Sequence, residues 1–213
     1  MSLQTVLAGI EPAWFAGADG ATPDPALLAQ ARDSRLGERI LARWLAAGPA
    51  AALLAPTAQR EVGGAALRWP RTRLGPLLRD LGVLSMAPAI RAEVGRDPVR
   101  RLKHALGSSY LLALDRSVWD GRVPAASVAA LAGALRTALA ADRGPDTSGH
   151  DALYALLDHH GRSELRAWAR EHDPALGEWV ALLHPREDAL PNVLPDPQVR
   201  LLHEHHLARE RGV

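Results

Sequence analysis

The chain of 213 residues contains no cysteine. A disulfide framework, a thiolate nucleophile and a Cys-ligated zinc are therefore excluded, and the composition suits a reducing cytosol. Aromatic residues are scarce, with one Phe, two Tyr and six Trp. The β-branched residues Val, Ile and Thr total 21, too few to furnish a sizeable sheet. No apolar run approaches the roughly 18 residues that a membrane helix requires. The opening stretch MSLQTVLAGIEPAW lacks a basic n-region and carries Glu11, so it does not read as an export signal. A net charge of +1 provides no global attraction to nucleic acid. These absences predict a soluble, cytoplasmic protein that folds without a cofactor.

What remains is dominated by Ala (40) and Leu (35), both strong helix formers. At 47% apolar the chain can bury a core, and its length fits one large domain or two small ones, with one expected. The pair Asp-Pro occurs at Asp24-Pro25, Asp97-Pro98, Asp173-Pro174 and Asp196-Pro197. Each reads as an N-cap followed by a proline whose missing N–H costs nothing in the first turn. Between such signals the apolar spacing is helical. Leu36, Ile40 and Trp44 form one stripe, and Leu74 to Leu84 a second with Pro76 in its first turn. Val99 to Leu114 gives a third over about five turns, and Val128 to Leu139 a fourth opened by Pro124. Leu153 to Leu157 begins a fifth that stops at Gly161. Leu165 with Trp168, Leu176 to Leu183, and Val199 to Arg211 complete the series. Nothing alternates with period two. The expected fold is all-α, a compact irregular bundle of roughly seven to nine helices with no significant sheet. Residues 1–184 are expected to form a single domain with 1–23 as a loose lead-in. Residues 185–213, with Pro185, Pro191, Pro195 and Pro197, are expected to be a linker plus a terminal helix that adds little stability.

Charge is unevenly distributed. Arg60 to Lys103 holds ten basic and four acidic residues, whereas Asp142 to Asp196 holds five and eleven. Such asymmetry speaks to contact surfaces. Six of the nine histidines fall in two clusters, His150, His159 and His160 beside Asp151 and Asp158, and His203, His205 and His206 around Glu204. There is no HExxH, and the nine-residue spacing of His150 and His159 puts them on different faces of a helix. Dipole interaction at a helix C-terminus and a solvated terminal face explain the two clusters more simply than metal binding. Phosphate loops of the GxGxxG or GxxxxGK[ST] kind and a GxSxG elbow are absent, and Gly63-Gly64 lacks a preceding strand. Gly107-Ser108-Ser109 falls inside an expected helix and reads as a packing feature. Of the tryptophans, Trp44, Trp168 and Trp179 lie on apolar stripes and read as core, while Trp14, Trp69 and Trp119 flank loops, where surface anchoring is an option.

The stretch Trp69–Leu114 reads WPRTRLGPLLRDLGVLSMAPAIRAEVGRDPVRRLKHALGSSYLLAL. Its order, a leucine-rich LLRDLGVLSMAP helix, then AIR, a charged turn and RRLKHALGSSY, resembles the SctK/YscK/PscK family. These are adaptor subunits of the cytoplasmic sorting platform in bacterial type III secretion systems. The resemblance covers about a fifth of the chain and includes no catalytic signature. It implies a non-enzymatic scaffold beneath the inner-membrane ring of the injectisome, peripheral to that membrane through the ring and not inserted in it. Its partners would be the cytoplasmic domain of the ring protein SctD and the pod protein SctQ, leading on to SctL and the ATPase SctN, with no nucleic acid, cofactor or metal. The candidate partner-binding residues are Arg91, Arg96, Arg100, Arg101, Lys103 and Trp69, since Arg offers forked donors to an acidic partner. A helical metal-dependent hydrolase or metal-binding protein using His150, Asp151, Asp158 and His159 is the alternative. A helix-turn-helix nucleic-acid binder built on Arg60 to Lys103 is disfavoured by the leucines there.

Overall fold

The computed structural model of the chain describes residues 3–16, 21–55, 69–142 and 149–211. Among these there are eleven α-helices and one 3-10 turn, with no strand, and the protein is all-α. The chain divides into two compact units, Met1–Leu74 with Arg166–Ala189, and Gly75–Leu165 with Leu190–Val213. The sequence had suggested a boundary at His184.

In the first unit the opening segment is not a loose lead-in. It forms α1 (Leu3–Gly9) and a 3-10 turn (Pro12–Phe15). Leu7 and Ile10 are buried, the Glu11 N–H donates to the Leu182 carbonyl at 2.8 Å, and Trp14 Nε1 donates to the His184 carbonyl at 2.8 Å. Proline and glycine signals dominate this stretch in sequence, whereas tertiary burial of its few apolar side chains decides its structure. Residues 17–20 lie outside the described part. Asp24 caps α2 (Pro25–Asp33) as expected, accepting from the N–H groups of Ala26 and Leu27. Ser34 caps α3 (Arg35–Ala46), whose Gly37 presses against α2: a Cβ there would lie 2.2 Å from the Ala31 carbonyl oxygen.

That contact turns α3 so that Gly37 and Leu45 face inward. Leu36, Ile40 and Trp44 then point outward, with 70%, 59% and 40% of their surface exposed. Their expected burial is thus corrected. The unit's buried aromatics are instead Phe15, Trp69 and Trp179, the two tryptophans joined by a 3.0 Å hydrogen bond from Trp179 Nε1 to the Trp69 carbonyl. Trp179 lies on α10 (Pro174–Leu182), capped by Asp173. From the same helix Glu178 accepts the N–H groups of Ala52 and Leu53 at 3.1 and 2.7 Å.

The second unit is organised by α4 (Arg71–Ser85) from Gly75 onward and by α9 (Asp151–His172) as far as Leu165. The two cross at reciprocal glycines. A Cβ on Gly82 would lie 1.9 Å from the Leu157 carbonyl oxygen, and one on Gly161 1.7 Å from that of Leu78. Gly161 therefore does not end a helix; α9 runs through it because the missing side chain admits the neighbouring backbone. The break occurs at Gly107, whose φ of +53° separates α6 (Arg96–Leu106) from α7 (Ser109–Leu114). The single five-turn helix expected there is thus two, one reason the count exceeds nine. Pro76 stands inside α4 rather than in its first turn. Between α4 and α6, α5 (Ala87–Ala92) buries Ala87 to Ile90 and packs on α7 and on α8 (Ala125–Ala141).

The proline-rich segment before α11 (Asp196–Arg211) is held to α9. Ser163 Oγ accepts the Leu190 N–H at 3.0 Å, and the buried Glu164 carboxylate accepts those of Val193 and Leu194 at 2.9 and 3.1 Å. Ser85 of α4 donates its hydroxyl to the same carboxylate at 3.0 Å. Leu194, Val199 and Leu202 are buried as well. The prolines that prevent a helix leave these N–H groups free to bond elsewhere, and α9 supplies the acceptors.

Candidate functional site

The candidate basic surface centres on α6. Its buried side is Leu102 and Leu106, and Gly95, not Asp97, occupies its N-cap. Arg96, Arg100 and Lys103 follow at intervals of four and three, the spacing of neighbours on one helix face, and all three are exposed. No ion pair or hydrogen bond engages the Arg96 or Arg100 side chain among the described residues. Lys103 Nζ lies 5.7 Å from the centre of the Tyr110 ring. Nearby Glu93 turns back to accept the Gly95 N–H at 3.0 Å. The result is a positive stripe about two turns long, free to meet carboxylates.

The other three candidates are committed within the fold. Arg91 donates to the carbonyls of Ala113, Trp119 and Asp120 at 2.6, 2.7 and 2.9 Å, tying α5 to the end of α7 and the loop beyond it. Burial, reinforced by the charge of Arg116, lowers its pKa from the usual arginine value while Asp120 opposes the change. Arg101 donates to the Leu139 carbonyl near the end of α8. Trp69 is 3% exposed and belongs to the core of the first unit. Charge counting cannot separate such arginines from free ones, because the carbonyls they reach lie 22 to 38 positions away. Arg60 and Arg68, at the start of the basic stretch, lie outside the described residues.

The histidine clusters are dispersed. Asp158 is held bidentately by Arg79 at 3.1 and 2.8 Å, with the same guanidinium 4.0 Å from the Tyr154 ring centre. His150 meets His104 at 3.0 Å through ring nitrogens. Asp151 is exposed at the start of α9, two turns from His159. Among the described residues no three His, Asp or Glu side chains are placed to share an ion.

A group that the sequence does not suggest forms where α4, α7 and α11 meet. Asp80 accepts the Ser109 hydroxyl at 2.6 Å on one oxygen and pairs with His206 Nε2 at 2.9 Å on the other. Burial alone would push this carboxyl up, but the hydrogen bonds from His206 and Ser109 and the charges of His206 and His205 hold it below its usual value. Beside it is a cavity of about 380 Å³ lined by Ser109, Leu112, Leu201, His205 and Arg209. The carboxylate sits between serine and histidine, so His206 does not reach the hydroxyl and cannot take its proton directly. The arrangement is a clip, not a nucleophile with its base. In the first unit a cavity of about 320 Å³ lies beside Trp14, Arg166, Arg170 and Glu178, whose carboxylate is already occupied.

Among the described residues no helix is long and apolar enough to cross a membrane. Comparison of the chain with protein-family models, with curated proteins and with solved structures finds no match.

Proposed function

We propose that the chain is a non-enzymatic adaptor of the type III secretion sorting platform, at the cytoplasmic face of the inner membrane, where it links SctD to SctQ and through SctQ to SctL and SctN. The reading rests on the resemblance of Trp69–Leu114 to the SctK/YscK/PscK family. The observation that carries it is the division of labour within that stretch. Leu77, Leu78, Leu81, Leu84 and Ile90 are buried and build the core of the second unit, while Arg96 and Arg100 stand exposed on its surface without internal acceptors, with Lys103 beside them over the Tyr110 ring. Such a rigid helix with unpaired cations suits recognition of an acidic protein surface.

The test is reversal of Arg96, Arg100 and Lys103 to Glu. Arg91 and Arg101 are left in place because their reversal would orphan backbone carbonyls. Binding of the purified chain to the SctD cytoplasmic domain and to SctQ should weaken for one partner about tenfold or more, with the melting temperature unchanged. Added salt should weaken the parent complex in the same sense. Undiminished binding of both partners would remove α6 from the interface. A stoichiometric transition metal in untagged protein would favour the metal-binding alternative.

A further inference from the structure

The outward face of α3 has no role in the reading above and lies in the other unit. Leu36, Ile40 and Trp44 form an apolar stripe at successive four-residue steps, and Leu27 of α2 is 61% exposed as well. Arg35, Arg39 and Arg43 make a parallel exposed row, displaced by one residue, which is about 100° around the helix. The opposite flank of the stripe turns into the core through Gly37 and Leu45. The arginines therefore border one side only.

We infer that this face docks a partner helix bearing its own apolar stripe with a row of carboxylates along one edge. From Leu36 to Trp44 the stripe rises about 12 Å in eight residue steps, the length of two helical turns of a partner lying alongside. Side chains at such steps are the anchors that helix-in-groove recognition uses. The arginine row sets the sign of the partner's charge and its orientation. A lipid surface fits less well, because an interfacial helix carries basic residues on both sides of its apolar face and sinks that face whole. Here one flank is already occupied by the protein's core. A second copy paired antiparallel about a two-fold axis would bring like arginine rows together, and one paired parallel would set each row against the other copy's Gly37–Leu45 flank, which carries no row of carboxylates.

The face is also preformed. Ser34 fixes the start of α3, the Gly37 approach fixes its rotation, and the Trp44 ring is braced by Phe15 at 6.0 Å between centroids. Little ordering remains for binding to impose.

The experiment titrates the full chain against a labelled model helix with leucines on one stripe and glutamates along one edge, followed by fluorescence anisotropy. Parallel titrations use the same peptide with lysine in place of glutamate, and vesicles containing phosphatidylglycerol. The acidic peptide should bind at least about tenfold more tightly than the lysine peptide, a difference of about 1.4 kcal/mol. Ile40→Glu should abolish binding, and the pair Arg39→Glu and Arg43→Glu should reverse the preference so that the lysine peptide binds. Because all three positions are exposed, the helical spectrum should stay that of the parent, and the preference reversal cannot arise from unfolding. Equal affinity for both peptides, uptake by vesicles alone, or a dimer lost on Ile40→Glu would each overturn the inference.

Discussion

Adding a single methyl group should have opposite effects at two glycines of the second unit. At Gly161 an alanine Cβ would sit 1.7 Å from the Leu78 carbonyl oxygen, against an ordinary contact of 3.4 Å or more. The shortfall, 3.4 minus 1.7, is 1.7 Å, and it falls on backbone that no rotamer change can move. The helices must separate, loosening Leu77, Leu78, Leu81, Leu153 and Leu157 around the crossing. Overpacking of this kind costs about 3 kcal/mol, the upper part of its usual range, since a Cβ fixed to one helix backbone meets the backbone of the other. At Gly133 in α8 a Cβ meets nothing within 4 Å, so alanine there gains its helix propensity, about 1 kcal/mol. For a chain of this size each kcal/mol moves the thermal midpoint roughly 2–4 °C. Gly161→Ala should therefore lower it by about 6–12 °C, and Gly133→Ala should raise it by about 2–4 °C. Circular dichroism melts of the two variants suffice. Gly82→Ala should resemble Gly161→Ala, and the double variant should fall short of the sum because one separation relieves both clashes. A Gly161→Ala protein as stable as the parent would refute the close crossing.

Glu164→Ala should cost about 3 kcal/mol or more in urea unfolding, since it strands the Val193 and Leu194 N–H groups and the Ser85 hydroxyl. Burial raises the Glu164 pKa against the pull of those donors, so its contribution is complete below about pH 4.5 and declines as pH rises through the raised value. Glu164→Gln should therefore improve relative to the parent from acid toward neutral pH. His160 behaves in the opposite way. Burial, then the charge of His159, pushes it down to about 4 from 6.5. Its contribution is complete above 6.5 and is lost as pH falls toward 4, by about 3 kcal/mol at most. The parent should lose more stability than His160→Gln over that interval. Truncation after His184 should abolish the cooperative transition of the second unit, because it removes Leu194, Val199, Leu202 and His206; an unchanged melt would restore the view of the tail as an appendage.

Helical character was legible because it is local. Ala and Leu richness and the caps Asp24 and Asp173 each act within a few residues. Yet Gly107 and Gly161 exchange the roles that sequence suggests for them. One glycine supplies a positive φ and the other a close approach, and the second use depends on Leu78, 83 positions away. Asp97 and Asp196 likewise look like caps, but each lies inside its helix. The stripe Leu36–Ile40–Trp44 has the right period, and period does not say whether anything covers it. The same limit applies to charge. Arg96 and Arg100 are free while Arg91 and Arg101 close off carbonyls, a difference made by tertiary neighbours. The Asp80–Ser109–His206 group draws on three distant helices and left almost no local trace.

The most direct measurement of the central claim mixes the purified chain with the SctD cytoplasmic domain and SctQ from the same organism, followed by size-exclusion chromatography with light scattering. The adaptor reading predicts one species containing all three chains, and no association of SctD with SctQ when this chain is left out. Separate elution of all three, or an SctD–SctQ complex indifferent to its presence, would contradict it.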